Sequence, residues 1–141
     1  MSHWRGTICI PTQNRPEDVQ RLVTNLRQEC DALGIEILVG DASALARDIQ
    51  GITVLPRPHT TYPQGVNLLV AAAQGAWVCV WSDDVLPNGN TLVTMCRMME
   101  EHPDALGLFY HHNSRGPCHL LPTFAEFFIC TKAVYAQLGG V

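Results

Sequence analysis

The chain has 141 residues, of which 47% are apolar and 16% are charged, and its net charge is −4. This length supports one domain with a single core, and the composition excludes a disordered chain. The negative charge and the lack of a basic run give no sign of a surface for nucleic acid. The sequence has no apolar span of about eighteen residues and no apolar signal-peptide core, so we expect no membrane-spanning helix.

The six cysteines give an expectation about the cellular compartment. They are Cys9, Cys30, Cys79, Cys96, Cys118 and Cys130. None of them forms a CxxC pair, and several lie in apolar runs that are typical of buried strands. Buried free thiols in a reducing environment are the simplest account, so we expect a cytoplasmic protein.

Strands and helices alternate along most of the chain. Apolar runs predict strands at residues 7–10, 35–39, 52–55, 76–81, 106–110 and 127–130. Periodic apolar residues predict helices over residues 16–33, 63–74 and 90–102, with a short final helix after Thr131. Residues 44–51 fit either a polar connection or a short helix. The alternation predicts right-handed βαβ units in a mostly parallel sheet, and the lack of a helix between strands five and six predicts one antiparallel member.

Two adjacent carboxylates, Asp83 and Asp84, follow the apolar run at residues 76–81. Two such charges about 4 Å apart repel by roughly 1 kcal/mol in water and about 4 kcal/mol near a protein surface. A divalent cation turns this repulsion into attraction, because Mg²⁺ is commonly held by one or two carboxylates together with substrate phosphates. The alternative is that the two residues begin a turn and cap the next helix, and the pattern leaves both interpretations open.

Polar residues also follow two other predicted strands. Thr12 and Asn14 come after the first strand, and Asp41 comes after the second. The carboxyl ends of parallel strands share one edge, so we expect these residues to lie near Asp83 and Asp84, where α/β sheets bind ligands. No glycine-rich dinucleotide fingerprint follows the first strand, and no P-loop occurs anywhere. These absences argue against a classical NAD enzyme and a P-loop NTPase.

Five segments, taken in order, resemble the motifs of family 2 glycosyltransferases. They are ICIPTQNRP at 8–16, ILVGDAS at 37–43, the segment from GVN to AQG at 65–75, VWSDDVLP at 80–87 and LGG at 138–140. The resemblance implies a GT-A fold over residues 1–141 as a single domain, which is a three-layer α/β/α arrangement with a mostly parallel sheet. It also implies a nucleotide-diphosphate sugar as donor and Mg²⁺ or Mn²⁺ as cofactor.

The resemblance further implies a donor site formed by Pro11, Thr12, Asn14, Asp41, Asn67 and Asp83, with Asp83 and Asp84 as metal ligands. Asp41 would accept a hydrogen bond from a uracil-type base or a ribose hydroxyl, which favours a UDP-type donor. Thr12 would lie beneath the nucleotide and Asn67 would contact the sugar. Plainer roles stay open: Asp41 as a turn cap, Thr12 in loop packing and Asn67 as a brace.

The chain also departs from the family pattern. Ser82, or Trp81 in another register, stands where the acidic motif usually begins, and Val66 replaces the usual arginine. Inverting members take their base from an acid downstream of the Gly-Gly segment, whereas this chain ends at Val141. Glu126 is the acid in the preceding stretch, and an apolar setting would raise its pKa toward that of a useful base. The alternative is a glutamate that faces solvent.

Two further groups of residues are weaker candidates. His111, His112, Cys118 and His119 are zinc-type ligands, but their spacing fits no common zinc module, so a polar loop is the simpler interpretation. Arg15 and Arg57 could bind phosphate or be ordinary surface arginines.

Our leading hypothesis is a metal-dependent, inverting glycosyltransferase that acts on an unknown acceptor. The alternative is a nucleotide-sugar binding module that lacks the acceptor half. A nucleotidyltransferase uses similar metal chemistry, but the sequence lacks its glycine-rich basic first loop. A missing acceptor region would expose apolar surface, which makes a homodimer possible.

Overall fold

The computed structural model describes residues 3–43, 48–57, 60–109 and 127–139. Six strands form one sheet in the order β3-β2-β1-β4-β6-β5. The elements are β1 Gly6–Thr12, α1 Pro16–Leu33, β2 Ile35–Asp41, β3 Thr53–Pro56, α2 Tyr62–Ala72, β4 Trp77–Val80, α3 Thr91–Glu101, β5 Gly107–Phe109, β6 Phe127–Thr131 and α4 Lys132–Gln137. All the predicted strands are present, with small shifts at their ends.

The sheet is parallel in its first four strands. β1 pairs in parallel with β2 and β4, and β2 pairs in parallel with β3. β6 runs antiparallel to both β4 and β5, so it is the one strand of opposite direction. The prediction of a mostly parallel sheet with one antiparallel member is therefore confirmed.

Helices cover both faces of the sheet and make three layers. One core contains buried residues of α1 and α3 against the sheet, including Leu22, Leu26 and Met95. The second core, on the opposite face, contains Val66 and Leu69 of α2 together with partly buried residues of α4. The α/β/α architecture expected from the sequence is confirmed.

The first helix follows its sequence signals closely. It begins at Pro16, which lacks the backbone N–H that a first helical residue would leave unpaired. Glu17 and Asp18 lie in the first turn, where the helix dipole favours negative charge. Gly34 ends the helix in the left-handed conformation at φ 74°, and its N–H donates to the carbonyl of Cys30.

The second helix ends two residues before the predicted Gln74, because the chain there turns back onto the sheet. The N–H of Gln74 donates to the buried carboxylate of Glu36 at 2.9 Å, and the N–H of Gly75 donates to the hydroxyl of Thr7 at 3.0 Å. Thr7 also donates to Glu36 at 2.8 Å. These partners replace the helical hydrogen bonds and fix the entry to β4.

The described cysteines agree with the expectation of free thiols. Five lie within the described residues, and all five are free and buried. Burial raises the pKa of the Cys9 thiol to about 12, which keeps it protonated and unreactive at neutral pH. Cys118 lies outside the described residues. Among the helices that the structure describes, none is long and apolar enough to cross a membrane.

Candidate functional site

The carboxyl ends of β1, β2 and β4 meet at one edge of the sheet. Thr12, the last residue of β1, pairs directly with Asp41, the last residue of β2. Beyond β4, the N–H of Trp81 donates to the carbonyl of Cys9 at 2.9 Å, which carries the chain alongside β1 for one more residue. This register places Asp83 beside Thr12, and the predicted convergence of the three polar clusters is confirmed.

Thr12 and Asp83 form the buried centre of this edge. The Thr12 hydroxyl donates to Oδ2 of Asp83 at 2.8 Å, and both residues are less than a tenth exposed. Burial raises the pKa of Asp83, while the Thr12 hydrogen bond and the Arg15 charge act in the opposite direction. The nearby charges of Asp84 and Asp18 add to the increase. Asp83 is thus a carboxylate whose charge is costly unless a cation stabilises it.

Arg15 supplies a cation at this position. Its Nη1 lies 3.5 Å from Oδ1 of Asp83 and 3.5 Å from Oδ2 of Asp84. The two carboxylates therefore converge on one positively charged group. Sequence reasoning left Arg15 as a possible phosphate ligand or surface residue and missed this contact.

Ser82 occupies the position where the acidic motif usually begins, and its role differs from that of the usual acid. Its hydroxyl donates to Oδ1 of Asp84 at 2.6 Å, which orients that carboxylate. The turn is closed by a contact at 3.4 Å from the N–H of Val85 to the carbonyl of Ser82. The indole N–H of the buried Trp81 also donates to the Val85 carbonyl, at 2.6 Å. The residues on either side of the acid pair therefore fix the turn that carries it.

A second set of contacts joins the loops after β1 and β2. Oδ1 of Asp41 accepts from the N–H of Ser43 at 2.9 Å, so the predicted turn-capping role is present and uses one carboxylate oxygen. The Ser43 hydroxyl accepts from the N–H of Asn14 at 2.7 Å, where Asn14 has a left-handed φ of 56°. The Asp-x-Ser spacing is a known turn signal that could have identified Ser43 from the sequence.

A cleft of about 1160 Å³ opens beside this edge, which is somewhat larger than most ligand sites. Thr12, Asn14, Arg15, Asp41 and Ser43 are among its lining residues. Thr12 and Arg15 also contact the acid pair, so the cleft and the pair adjoin.

Of the remaining candidates, some lie at this edge of the sheet and others away from it. Asn67 is in α2, and its side-chain carbonyl accepts from the Tyr135 hydroxyl of α4, a contact that favours the bracing role. Pro11 precedes Thr12 in β1, and the N–H of Arg57 donates to the Asp41 carbonyl at 2.7 Å. The following candidates lie outside the described residues: Glu126, His111, His112, Cys118 and His119.

The acid pair fits a divalent cation whose shell is completed by other ligands. Both carboxylates already face one positive group, and Mg²⁺ characteristically uses one or two carboxylates plus phosphates and water. Within the described ranges, no group of three His, Cys, Asp or Glu side chains could hold a metal. A cation at Asp83 and Asp84 would thus depend on oxygens that these residues do not supply.

Comparison with solved structures identifies relatives of the same fold. The mannosyltransferase PcManGT from Pyrobaculum calidifontis, in complex with GDP-Man and Mn²⁺, superposes with a TM-score of 0.73 at 16% identity, covering 96% of this chain and 47% of its own. S. aureus TarS 1-349 in complex with UDP gives 0.72 at 18% identity, covering 96% of this chain and 49% of its own. The same TarS fragment in complex with UDP-GlcNAc gives 0.69 at 16% identity, with 96% and 47% coverage.

These likenesses show a GT-A fold, and the chain spans about half the length of each structure. No curated protein sequence matches the chain. The sequence model of glycosyl transferase family 2 matches residues 7–118, which is most of the chain. The chain belongs to glycosyl transferase family 2.

Proposed function

We propose that this chain forms the donor site of a glycosyltransferase that moves a sugar from a nucleotide-diphosphate donor to an acceptor hydroxyl. The observation that carries this proposal is the meeting of Thr12, Arg15 and the Asp83–Asp84 pair beside Asp41 at one edge of the sheet. A hydrogen-bond acceptor for a base and a cation line one cleft at this edge, and the acidic pair adjoins the cleft through Thr12 and Arg15. The acceptor suits the nucleoside, and the cation and the acidic pair suit the diphosphate and its metal ion.

The nucleoside end would lie against Asp41. Its Oδ1 is engaged by the N–H of Ser43, so Oδ2 would accept the imide N–H of a uracil-type base or a ribose hydroxyl. Pro11, Thr12 and Asn14 would form the floor and rim beneath the nucleotide. The relatives of this fold include structures in complex with UDP and UDP-GlcNAc, which supports a UDP-type donor, and one with GDP-Man, which keeps GDP in the test.

The diphosphate end would lie at Asp83 and Asp84, which would hold Mg²⁺ or Mn²⁺. When bound there, the cation would supply charge stabilisation to the departing diphosphate. Thr12 would keep Asp83 in a fixed orientation, and Ser82 would do the same for Asp84. Asn67 would reach the sugar only if it exchanged its contact with Tyr135.

The transfer step that we propose inverts the anomeric centre. The acceptor hydroxyl would attack the anomeric carbon opposite the diphosphate, its oxygen forming the new bond while the bond to the diphosphate breaks. A carboxylate would take the acceptor's proton, and Glu126 is the candidate base.

A second function is donor binding without efficient transfer. It is favoured because the described residues offer two carboxylates for the cation and no third metal-ligating side chain beside them. Such a protein would hold a nucleotide or nucleotide sugar and release product slowly. The two functions share the same donor site and differ in turnover.

We also propose a cytoplasmic location, because the five described cysteines are free and buried, as in proteins of reducing compartments. The homodimer considered from the sequence is tested separately, by measuring the molar mass of the purified chain in solution.

The test is a ligand titration followed by thermal unfolding. UDP, GDP and dTDP are added with and without MnCl₂, and nucleotide release is then measured from the matching sugars. We expect one nucleotide to raise the unfolding temperature of the native chain and the Asp83→Ala variant to lose most of that response. Binding with release of nucleotide supports the transferase, and binding alone supports the second function. No response to any nucleotide would contradict both.

A further inference from the structure

The guanidinium of Arg15 occupies the position on which the two carboxylates converge. It contacts Oδ1 of Asp83 and Oδ2 of Asp84 at the same distance, 3.5 Å. The other oxygen of each carboxylate is engaged by a neutral hydroxyl, from Thr12 and Ser82 respectively. The oxygens that face Arg15 are therefore those that a divalent cation would also use.

Arg15 and a divalent cation cannot share this position. Both are positive, and a cation bound to these two oxygens would lie at contact distance from the guanidinium, where the two charges repel each other. Binding of a cation to Asp83 and Asp84 consequently requires the guanidinium to leave. The free energy that Arg15 gains from its contacts with the two carboxylates is lost when the cation binds. This loss lowers the affinity of Asp83 and Asp84 for the cation.

The side chain of Arg15 is suited to this movement. It is 53% exposed, and its contacts of 3.5 Å are long for charged hydrogen bonds. Its backbone is held in place, because it precedes Pro16 and its carbonyl accepts from the N–H of Val19 at 3.1 Å. Only the flexible part of the residue has to move.

The same side chain also lines the cleft proposed for the donor. A guanidinium binds phosphate oxygens through paired hydrogen bonds, so a diphosphate next to the acid pair offers Arg15 a new anionic partner. Movement of Arg15 from the carboxylates to the diphosphate would vacate the pair for the cation. Cation and diphosphate would then assist each other's binding.

We infer that Arg15 is a displaceable internal counter-ion of Asp83 and Asp84, which competes with divalent cations in the donor-free protein and transfers to the diphosphate when donor binds. This inference rests on the proposed donor and metal site. It adds that cation and nucleotide bind cooperatively and that one residue of this chain produces the coupling.

The first experiment measures Mn²⁺ affinity by calorimetry, without nucleotide, for the native chain and for Arg15→Gln. The variant is expected to bind Mn²⁺ about three- to fivefold more tightly, the upper part of the range that partly exposed ion pairs allow. Arg97→Gln is the matched control. It removes the same charge from an exposed position of α3 that is not among the lining residues of the cleft, and it should leave Mn²⁺ affinity within about twofold.

The second experiment repeats the titration with saturating UDP. In the native chain UDP should increase Mn²⁺ affinity by a larger factor than in Arg15→Gln, because only the native chain has a counter-ion to transfer. Thermal unfolding of each variant verifies that the proteins are folded.

Each outcome decides the inference. The inference is supported if Arg15→Gln binds Mn²⁺ more tightly and the control variant does not, and if UDP increases Mn²⁺ affinity by a smaller factor in Arg15→Gln than in the native chain. Equal affinity in the native chain and Arg15→Gln overturns it and leaves the proposed donor site standing. An equal gain in Arg15→Gln and Arg97→Gln overturns it in favour of a general charge effect. If UDP increases Mn²⁺ affinity by the same factor in the native chain and in Arg15→Gln, the transfer of Arg15 to the diphosphate is overturned. If no form binds Mn²⁺ while UDP still raises the unfolding temperature, both the inference and the metal part of the proposed function fail, but donor binding does not.

Discussion

Thr12 donates a hydrogen bond to Asp83 across 71 positions of sequence, with 2.8 Å between Oγ1 and Oδ2. The bond joins the end of β1 to the turn after β4, so it exists only when the two strands are paired. It engages one carboxylate oxygen and leaves Oδ1 directed at Arg15. The Thr12 hydroxyl therefore sets the orientation of Asp83, whereas Arg15 balances its charge.

The first prediction concerns that hydroxyl. Thr12→Val keeps the shape of the side chain but removes the donor, which leaves a buried carboxylate oxygen without its partner. We expect a loss of about 1–3 kcal/mol in the free energy of unfolding at pH 7 and about tenfold weaker Mn²⁺ binding. Urea unfolding and calorimetry measure the two effects.

Thr12→Ser is the matched control, because it retains the hydroxyl. It should preserve Mn²⁺ affinity within about threefold and lose less stability than the valine variant. Equal losses in both variants would mean that methyl packing, and not the hydrogen bond, explains the effect of Thr12.

The second prediction follows from the raised pKa of Asp83. A carboxyl whose pKa is higher in the folded than in the unfolded protein binds its proton more tightly when folded. Its contribution to stability is therefore fully present below the ordinary pKa of about 3.8 and is lost as pH rises through the raised value. Asp83→Asn should therefore have a higher free energy of unfolding than the native chain at pH 7, and this advantage should shrink toward pH 3.5.

The exposed neighbour provides the comparison for this measurement. Asp84→Asn alters a side chain that is 50% exposed and should change stability by about 0.5 kcal/mol or less at either pH. A native chain that is at least as stable as Asp83→Asn at pH 7 would contradict the prediction, because it would mean that ionised Asp83 is fully compensated.

Sequence reasoning predicted the elements whose signals are local. Pro16 and Gly34 fixed both ends of α1, and the ends of β1, β2 and β4 placed Thr12, Asp41 and Asp83 at one edge. The end of α2 was predicted too late, because it depends on the carboxylate of Glu36 in a different strand. Local propensity alone does not contain that information.

The contacts that organise the site were harder to predict. Arg15 and Asp83 are 68 positions apart, and their contact depends on the conformation of a long exposed side chain. The hydroxyl of Ser82 orients Asp84 at a position where the motif comparison suggested only the loss of an acid. The Arg15 contact results from the tertiary arrangement of two loops, whereas the Ser82 contact is local and joins residues two positions apart.

The third prediction concerns Ser43, which joins the loops after β1 and β2. Ser43→Ala removes the acceptor for the N–H of Asn14 and should loosen the rim of the cleft beside Asp41. We expect nucleotide affinity to fall about three- to tenfold while Mn²⁺ affinity without nucleotide is unchanged, because the acid pair makes no use of this loop contact. An equal loss of both affinities would show that the loop supports the whole edge.

The fourth prediction concerns the packing at the amino end of the sheet, away from the site. A Cβ added at Gly75 would lie 2.3 Å from the carbonyl carbon of Gly6 and 2.7 Å from the N of Thr7, both backbone atoms that cannot rotate away. Gly75→Ala therefore has to separate β1 from the start of β4. We expect a loss of at least about 2–3 kcal/mol in the free energy of unfolding, measured in urea.

Gly65→Ala is the matched control, and we expect it to have the opposite effect on the free energy of unfolding. Gly65 lies in α2, has open space around its Cβ position and is not among the described glycines with positive φ, so alanine fits there without strain. Because alanine favours a helix over glycine, this variant should gain about 0.5–1 kcal/mol. Destabilisation by both alanines would point to a general intolerance of added methyl groups, whereas opposite signs tie the loss at position 75 to the close approach of Gly6.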